Sequence, residues 1–262
     1  MSINLNATDV IAGLGAAAWI PQIITWVYNA ATKPVLTITP DRTVSIGYTL
    51  FGPIFNLRLS INVDKKDTLI DFIGVEIQHE SGTKHTLEWT GMTEFFSEVK
   101  NSAGDNQIIQ RDIVPISVKL STLSLIERFF RFQDSSFIQR NKSELDKLME
   151  QQQFMQNKSA TYHDDFLSSK EVDDYIKFMR SNFYWQAGSY TASFLIRSPA
   201  PSKLKPCKYQ FKLTQDNVDM LKKNLEEIKA DIEYFIKKGD AQGFNGKPGN
   251  WRWVNVNLNK CD

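Results

Sequence analysis

The run Asn56–Val63, "NLRLSINV", alternates without a break: Leu57, Leu59, Ile61 and Val63 fall on one face, and Asn56, Arg58, Ser60 and Asn62 on the other. A period of two marks a strand with one face on a core and one in water. Upstream, "KPVLTITPDRTVSIGYTLFGP" (residues 33–53) holds two further β-rich runs, Val35–Thr39 and Thr43–Thr49. Pro40 and Asp41 divide them, and Gly52 with Pro53 closes the second. Downstream, "FIGVEIQHESGTKHTLEWTGM" (residues 72–92) predicts a hairpin. Folding it about Gly82 sets Ile77 opposite Leu87, Val75 opposite Trp89 and His79 opposite His85. The same register sets Glu76 against Glu88, a like-charge pair that a bulge or slip would relieve. One more strand is expected at "IVPISVKLS" (residues 113–121).

The period then changes. "SELDKLMEQQQFMQ" places Leu145, Leu148, Met149 and Met155 at helical spacing behind a Ser143 cap, and "SKEVDDYIKFMRSNF" does the same with Val172, Ile176, Met179 and Phe183. Strands resume at "GSYTASFLIRS" (residues 188–198) and "CKYQFKLT" (residues 207–214). Gly188 two residues before Tyr190 resembles the late strands of immunoglobulin-like sandwiches, where a tyrosine locks a corner. A Cys-Trp-Cys framework is missing, so this resemblance implies architecture alone. Residues 214–239 predict one long helix, capped by Thr214 or Asp216, striped by Val218, Leu221, Leu225, Ile228, Ile232 and Phe235, and ended by Gly239. "WRWVNVNL" (residues 251–258) alternates again and should join a sheet edge.

The expected architecture is therefore mainly β with α. It is an immunoglobulin-like antiparallel β-sandwich over residues 33–262, with a helical insert at about 121–184 and a C-terminal helix. One apolar helix over residues 1–32 precedes it. The chain's 262 residues and 42% hydrophobic content suffice for a real core. Basic residues number 31 and acidic ones 30, so charge gives no reason to expect nucleic acid. Cys207 and Cys261 lack CxxC spacing and fit a reducing compartment.

"VIAGLGAAAWIPQIITWVY" (residues 10–28) carries no charge. As a helix it rises about 28 Å, close to the hydrocarbon thickness of a bilayer. No Lys or Arg precedes it, which argues against a secretory leader. Ala12, Ala16, Trp19, Ile23 and Trp26 line one face; Gly13, Ala17, Ile20, Ile24 and Val27 line another, so the helix is apolar all round. Ala12 with Ala16, and Gly13 with Ala17, form small-xxx-small pairs that permit close helix contact. A single membrane span is expected, with the body on the cytoplasmic side because Lys33 and Arg42 follow the run. The alternative is a soluble subunit that uses the helix as an oligomer interface.

Candidate sites outside that helix are few. "LIERFFRFQDSSFIQR" (residues 125–140) gathers Arg128, Phe129, Phe130, Arg131 and Phe132, a composition suited to docking on a membrane or partner, or to anchoring the insert. The facing His79 and His85 offer two metal ligands without a third, so no metal and no cofactor is expected. GxSxG, P-loop, GxGxxG, HExxH and CxxC motifs are absent, and no enzyme is expected. What remains is a membrane-anchored interaction or sensing protein with a protein partner or self-association, its small-molecule ligand unspecified. The plan also resembles that of some bacterial defence effectors, in which one span oligomerises in response to a sensing domain.

Overall fold

The computed structural model describes residues 18–28, 31–100, 106–159, 161–238 and 250–261. The alternation at Leu57–Val63 is realised in β3 (Gly52–Asp64), where Leu57, Leu59, Ile61 and Val63 are all in the core. β1 (Val35–Pro40) and β2 (Thr43–Thr49) share one flank of it. β1 runs along the C-terminal half, with Val35 opposite Asp64, and β2 along the N-terminal half, with Ser45 opposite Asn56. β9 (Ile126–Gln133) covers the other flank, with Leu57 opposite Phe130. From β9 the sheet continues through β6 (Lys84–Lys100), β5 (Phe72–His79), β10 (Gly188–Arg197) and β12 (Lys208–Leu213). β7 (Asn106–Ile113) extends the far half of β6 as a ribbon.

The C-terminal segment joins the two edges of this array. β13 (Val254–Asn257) pairs with β2, and β14 (Asn259–Lys260) pairs with β12. Between them Leu258 N donates to Arg42 O. The sheet thus curls until its ends meet, and Phe55 of β3 lies 5.6 Å from Phe211 of β12, centroid to centroid, across the interior. Buried Tyr209 adds a bond from Oη to the Ile38 carbonyl. β11 (Lys203–Leu204) pairs with β1 in parallel, which makes the sheet mixed.

The body is mainly β with helices, as the patterning indicates, but twelve of its described strands form one curled sheet where an immunoglobulin-like sandwich would have two, and the other two, Thr68–Ile70 and Val118–Leu120, pair only with each other. The physical reason lies in two long strands. β3 and β6 run 13 and 17 residues, and each pairs with three others, so hydrogen bonding passes continuously around the bends. A register shift in β6 between Trp89 and Gly91 supplies part of the curvature. The tyrosine contact is present: Tyr190 Oη accepts from Gln186 N and donates to Gln186 O.

The hairpin register differs from the expected one by two residues. Val75 faces Leu87, Glu76 faces Thr86 and Ile77 faces His85. Gly82 is not the centre of the turn but its left-handed last residue (φ 94°), a conformation glycine reaches without penalty. The shift keeps each side chain on its face, removes the Glu76–Glu88 repulsion and lets Lys84 Nζ reach Glu76 at 3.2 Å.

Helices cover one end of the curled sheet. The insert comprises α2 (Ser135–Lys158), α3 (His163–Leu167) and α4 (Lys170–Ser181), so it begins at Ser135 and not near residue 121. Asp134 caps α2 by accepting from Phe137 N at 3.0 Å, about two and a half turns before the expected Ser143 cap. The expected single C-terminal helix is two, α5 (Gln215–Lys222) and α6 (Asn224–Lys238), with a Thr214–Asn217 capping box at the start. The break has a cause in the fold. Asn224 is fully buried and gives its amide to three main-chain groups, the carbonyls of Tyr48 and Arg252 and the N–H of Arg252. Tyr48 Oη bonds the Met179 carbonyl, and Trp185 Nε1 bonds the Gly47 carbonyl, fastening α4 and its exit to β2.

Candidate functional site

Residues 18–28 are helical (α1), and the hydrogen bond from Thr32 N to Tyr28 O follows them. Trp19, Ile20, Ile23, Ile24, Trp26, Val27 and Tyr28 are between 51% and 73% exposed. Uncharged bulk on every face, with no cover from the described residues of the chain, is what a helix made for lipid or another protein looks like. Ala12, Gly13, Ala16 and Ala17 lie outside the described residues. Among the described residues no helix is long and apolar enough to cross a membrane.

The aromatic and basic cluster of residues 128–132 is not one surface. It is a central strand, so alternation splits it. Phe130 and Phe132 point inward at 0% exposure, which corrects the docking expectation for these two. They stack with each other at 6.2 Å and sit against Trp89 and Phe194. Arg128 is half-buried and bonds the Glu127 carbonyl. Phe129 and Arg131 point outward, and there they line a lateral groove of about 770 Å³ between the sheet wall and the helical end.

Several elements build the groove, with Thr90 and Thr93 of β6, Asp112 of β7, Asn141 and Leu145 of α2 and Asp231 of α6 also in its lining. β9 contributes Phe129, Arg131 and Gln133; β3 and the turn before it contribute Phe51, Ile54 and Asn56; the C-terminal segment contributes Trp251 and Trp253. Trp253 lies flat on the backbone of β2, so close that a Cβ at Gly47 would fall 2.4 Å from its ring. Arg131 Nη2 pairs with Asp112 at 3.2 Å, and Thr93 Oγ1 donates to the other Asp112 oxygen at 2.8 Å. Thr90 Oγ1 donates to Gln133 Oε1 at 2.6 Å. Asn56 is more than nine-tenths buried, and its Oδ1 has no hydrogen-bond partner. A buried acceptor left alone costs about 1–3 kcal/mol. Aromatic walls with a few polar and charged groups, the Arg131–Asp112 pair among them, suit recognition of a partner segment or small ligand.

The two histidines do not face each other. His79 Nδ1 contacts Ser81 Oγ at 2.8 Å and its ring packs on Tyr190. His85 faces Ile77 and stacks on Tyr184, centroids 3.6 Å apart and planes within 10°. Burial lowers the His85 pKa, partly opposed by Asp134. This separation corrects the facing-imidazole expectation, and no metal-sized group of three His, Cys, Asp or Glu occurs among the described residues. Glu80 is held below the usual carboxylate range by the Ser189 N–H.

Phe129 and Arg131 were visible in the sequence as docking candidates, whereas Trp251, Trp253, Asn56 and Phe51 were not. Asn56 reads as an ordinary outward residue of an alternating strand, and only the folded sheet covers it. Comparison of the chain with family models, curated proteins and solved structures gives no match.

Proposed function

We propose that the chain is a membrane-anchored, cytoplasm-facing interaction or sensing protein without a catalytic centre. The apolar N-terminal helix is the anchor, and the lateral groove beside Arg131 and Trp253 meets the partner or ligand. The observation that carries this reading is α1, whose seven large apolar side chains are uncharged, exposed and uncovered by the body. In water such a surface drives association with lipid or protein. Lys33 directly after it favours retention of the body on the cytoplasmic side.

The test is fractionation of the full chain. The protein is expected to sediment with membranes, to resist alkaline extraction and to need detergent. Recovery as a soluble monomer would overturn the anchor. Recovery as a soluble oligomer would replace lipid by another copy of the helix. A second reading, an oligomerising single-span effector of the bacterial defence type, is favoured by the small-residue pairs Ala12–Ala16 and Gly13–Ala17. Its mark would be higher oligomers that form only when the groove is occupied.

A further inference from the structure

The curled sheet has two unlike ends. At one, β2, the turn of the β5–β6 hairpin and the start of β10 meet the helices. At the other lie the start of β1, the end of β3 and the start of β9, joined through the Val35–Asp64 and Ile61–Ile126 pairs, and the paired start of β5 and end of β10 are tied to them by the Asp67–Thr122, Thr68–Ser198 and Lys203–Pro34 hydrogen bonds. α1 enters the body at this second end. Thr32 closes the last helical hydrogen bond, so only Lys33 and Pro34 separate it from β1, a span of about 10 Å at full extension.

The same end carries apolar bulk in water. Leu123 is 95% exposed and Ile116 88%, and Val114 and Leu125, in the same connections, and Leu69 are exposed as well. These are not loose tails. β4 (Thr68–Ile70) pairs with β8 (Val118–Leu120), and Asp67 accepts from both Thr122 N and Thr122 Oγ1 at 2.8 and 3.2 Å. Thr68 Oγ1 in turn contacts Ser198 Oγ at 3.0 Å, tying the small sheet to β10. The side chains of Lys33, Lys65, Lys66 and Lys119 are exposed at this end. Aliphatic tips ringed by lysines, held next to an apolar helix, have the composition of an interfacial contact with anionic lipid.

We propose that the helix-free end of the sheet, centred on Ile116 and Leu123, docks on the anionic surface of the bilayer that α1 enters. This rests on the anchor reading above. The body then stands on the membrane in a fixed orientation, with the helical end turned away from lipid. Aliphatic side chains reach the acyl boundary while lysines stay at the headgroups.

The test uses the full chain with Cys207→Ser and Cys261→Ser, labelled with an environment-sensitive dye at Leu123→Cys, or at Ser81→Cys on the far hairpin turn as control. Each is reconstituted in vesicles of phosphatidylcholine, with or without phosphatidylglycerol. The expected result is a blue shift at position 123 and quenching by a lipid-chain nitroxide, strongest with phosphatidylglycerol and reduced by salt, with position 81 unshifted. A label at 123 as open to aqueous iodide as that at 81, in a chain that floats with vesicles, overturns the docking and leaves the anchor standing. A chain that does not float overturns both. A shift without nitroxide quenching assigns the surface to a second copy, and an equal shift without phosphatidylglycerol removes the anionic lipid; either outcome overturns the proposal as stated.

Discussion

Asn224→Ala probes how the C-terminal segment is held. The Asn224 side chain makes three hydrogen bonds, each 2.9 Å long, to Tyr48 O, Arg252 O and Arg252 N, and it is fully buried. Alanine leaves three main-chain groups without that partner. A buried polar group so stranded costs about 1–3 kcal/mol, and partial access of water near Arg252 lowers the total, so a loss of about 3–5 kcal/mol is expected. For a body of this size that corresponds to a fall in Tm of roughly 10 °C. Asn224→Asp separates hydrogen bonding from volume. The carboxylate can still accept from Arg252 N, but it faces two carbonyl oxygens, so at neutral pH it should be at least as damaging as alanine. Burial against those oxygens raises the carboxyl's folded pKa, so the deficit should shrink as pH falls and the group protonates. Thermal and urea unfolding of the full chain in detergent, followed by near-ultraviolet circular dichroism, supplies both readings. A loss under about 1 kcal/mol for alanine, or equal deficits for the aspartate variant at acid and neutral pH, would refute the assignment of this residue as the clamp.

Other substitutions test separate points. Gly47→Ala should displace Trp253 from β2 and weaken whatever occupies the groove, since its Cβ would fall 2.4 Å from the indole; unchanged tryptophan emission would refute this. His85 has a folded pKa below its unfolded value, so the unfolded chain binds the extra proton first. The stabilisation is present above the unfolded pKa and is lost as pH falls through that window; His85→Phe should flatten this part of the stability–pH curve while keeping the stack on Tyr184, and an unchanged slope would count against it. Gly13→Leu with Ala17→Leu should leave membrane fractionation intact but lower crosslinked oligomer yield, because added isobutyl groups separate packed helices. Undiminished crosslinking would make α1 a plain tether. Double substitution of His79 and His85 by Ala should leave the response of Tm to zinc unchanged; a zinc-dependent rise confined to the unsubstituted protein would revive a metal site.

Local periodicity by itself determined the apolar face of the regularly patterned strands and helices, but not every element: β9 fell inside the expected helical insert and β7 had no reading at all. Leu57, Leu59, Ile61 and Val63 are buried because alternation leaves them no other choice, and the stripe Val218, Leu221, Ile228 and Ile232 is buried for the same reason at a different period. The absence of charge along residues 10–28 is likewise a property of the chain alone. Pairing was decided elsewhere. Whether a set of alternating strands stacks as two sheets or curls into one depends on which strands are long enough to hold partners on both flanks, and nothing within β3 or β6 states that their neighbours will continue around them. The hairpin register turned on whether Gly82 centres the turn or ends it, a choice made by left-handed backbone geometry and by Lys84 reaching Glu76. The cluster Arg128–Phe132 had a composition suited to a surface, yet β9 runs between β3 and β6, and so Phe130 and Phe132 belong to the core while Phe129 and Arg131 belong to the groove. That groove needed residues some 200 positions apart, Asn56 and Trp253 among them, and only the closing of the sheet by its C-terminal segment brings them to one wall.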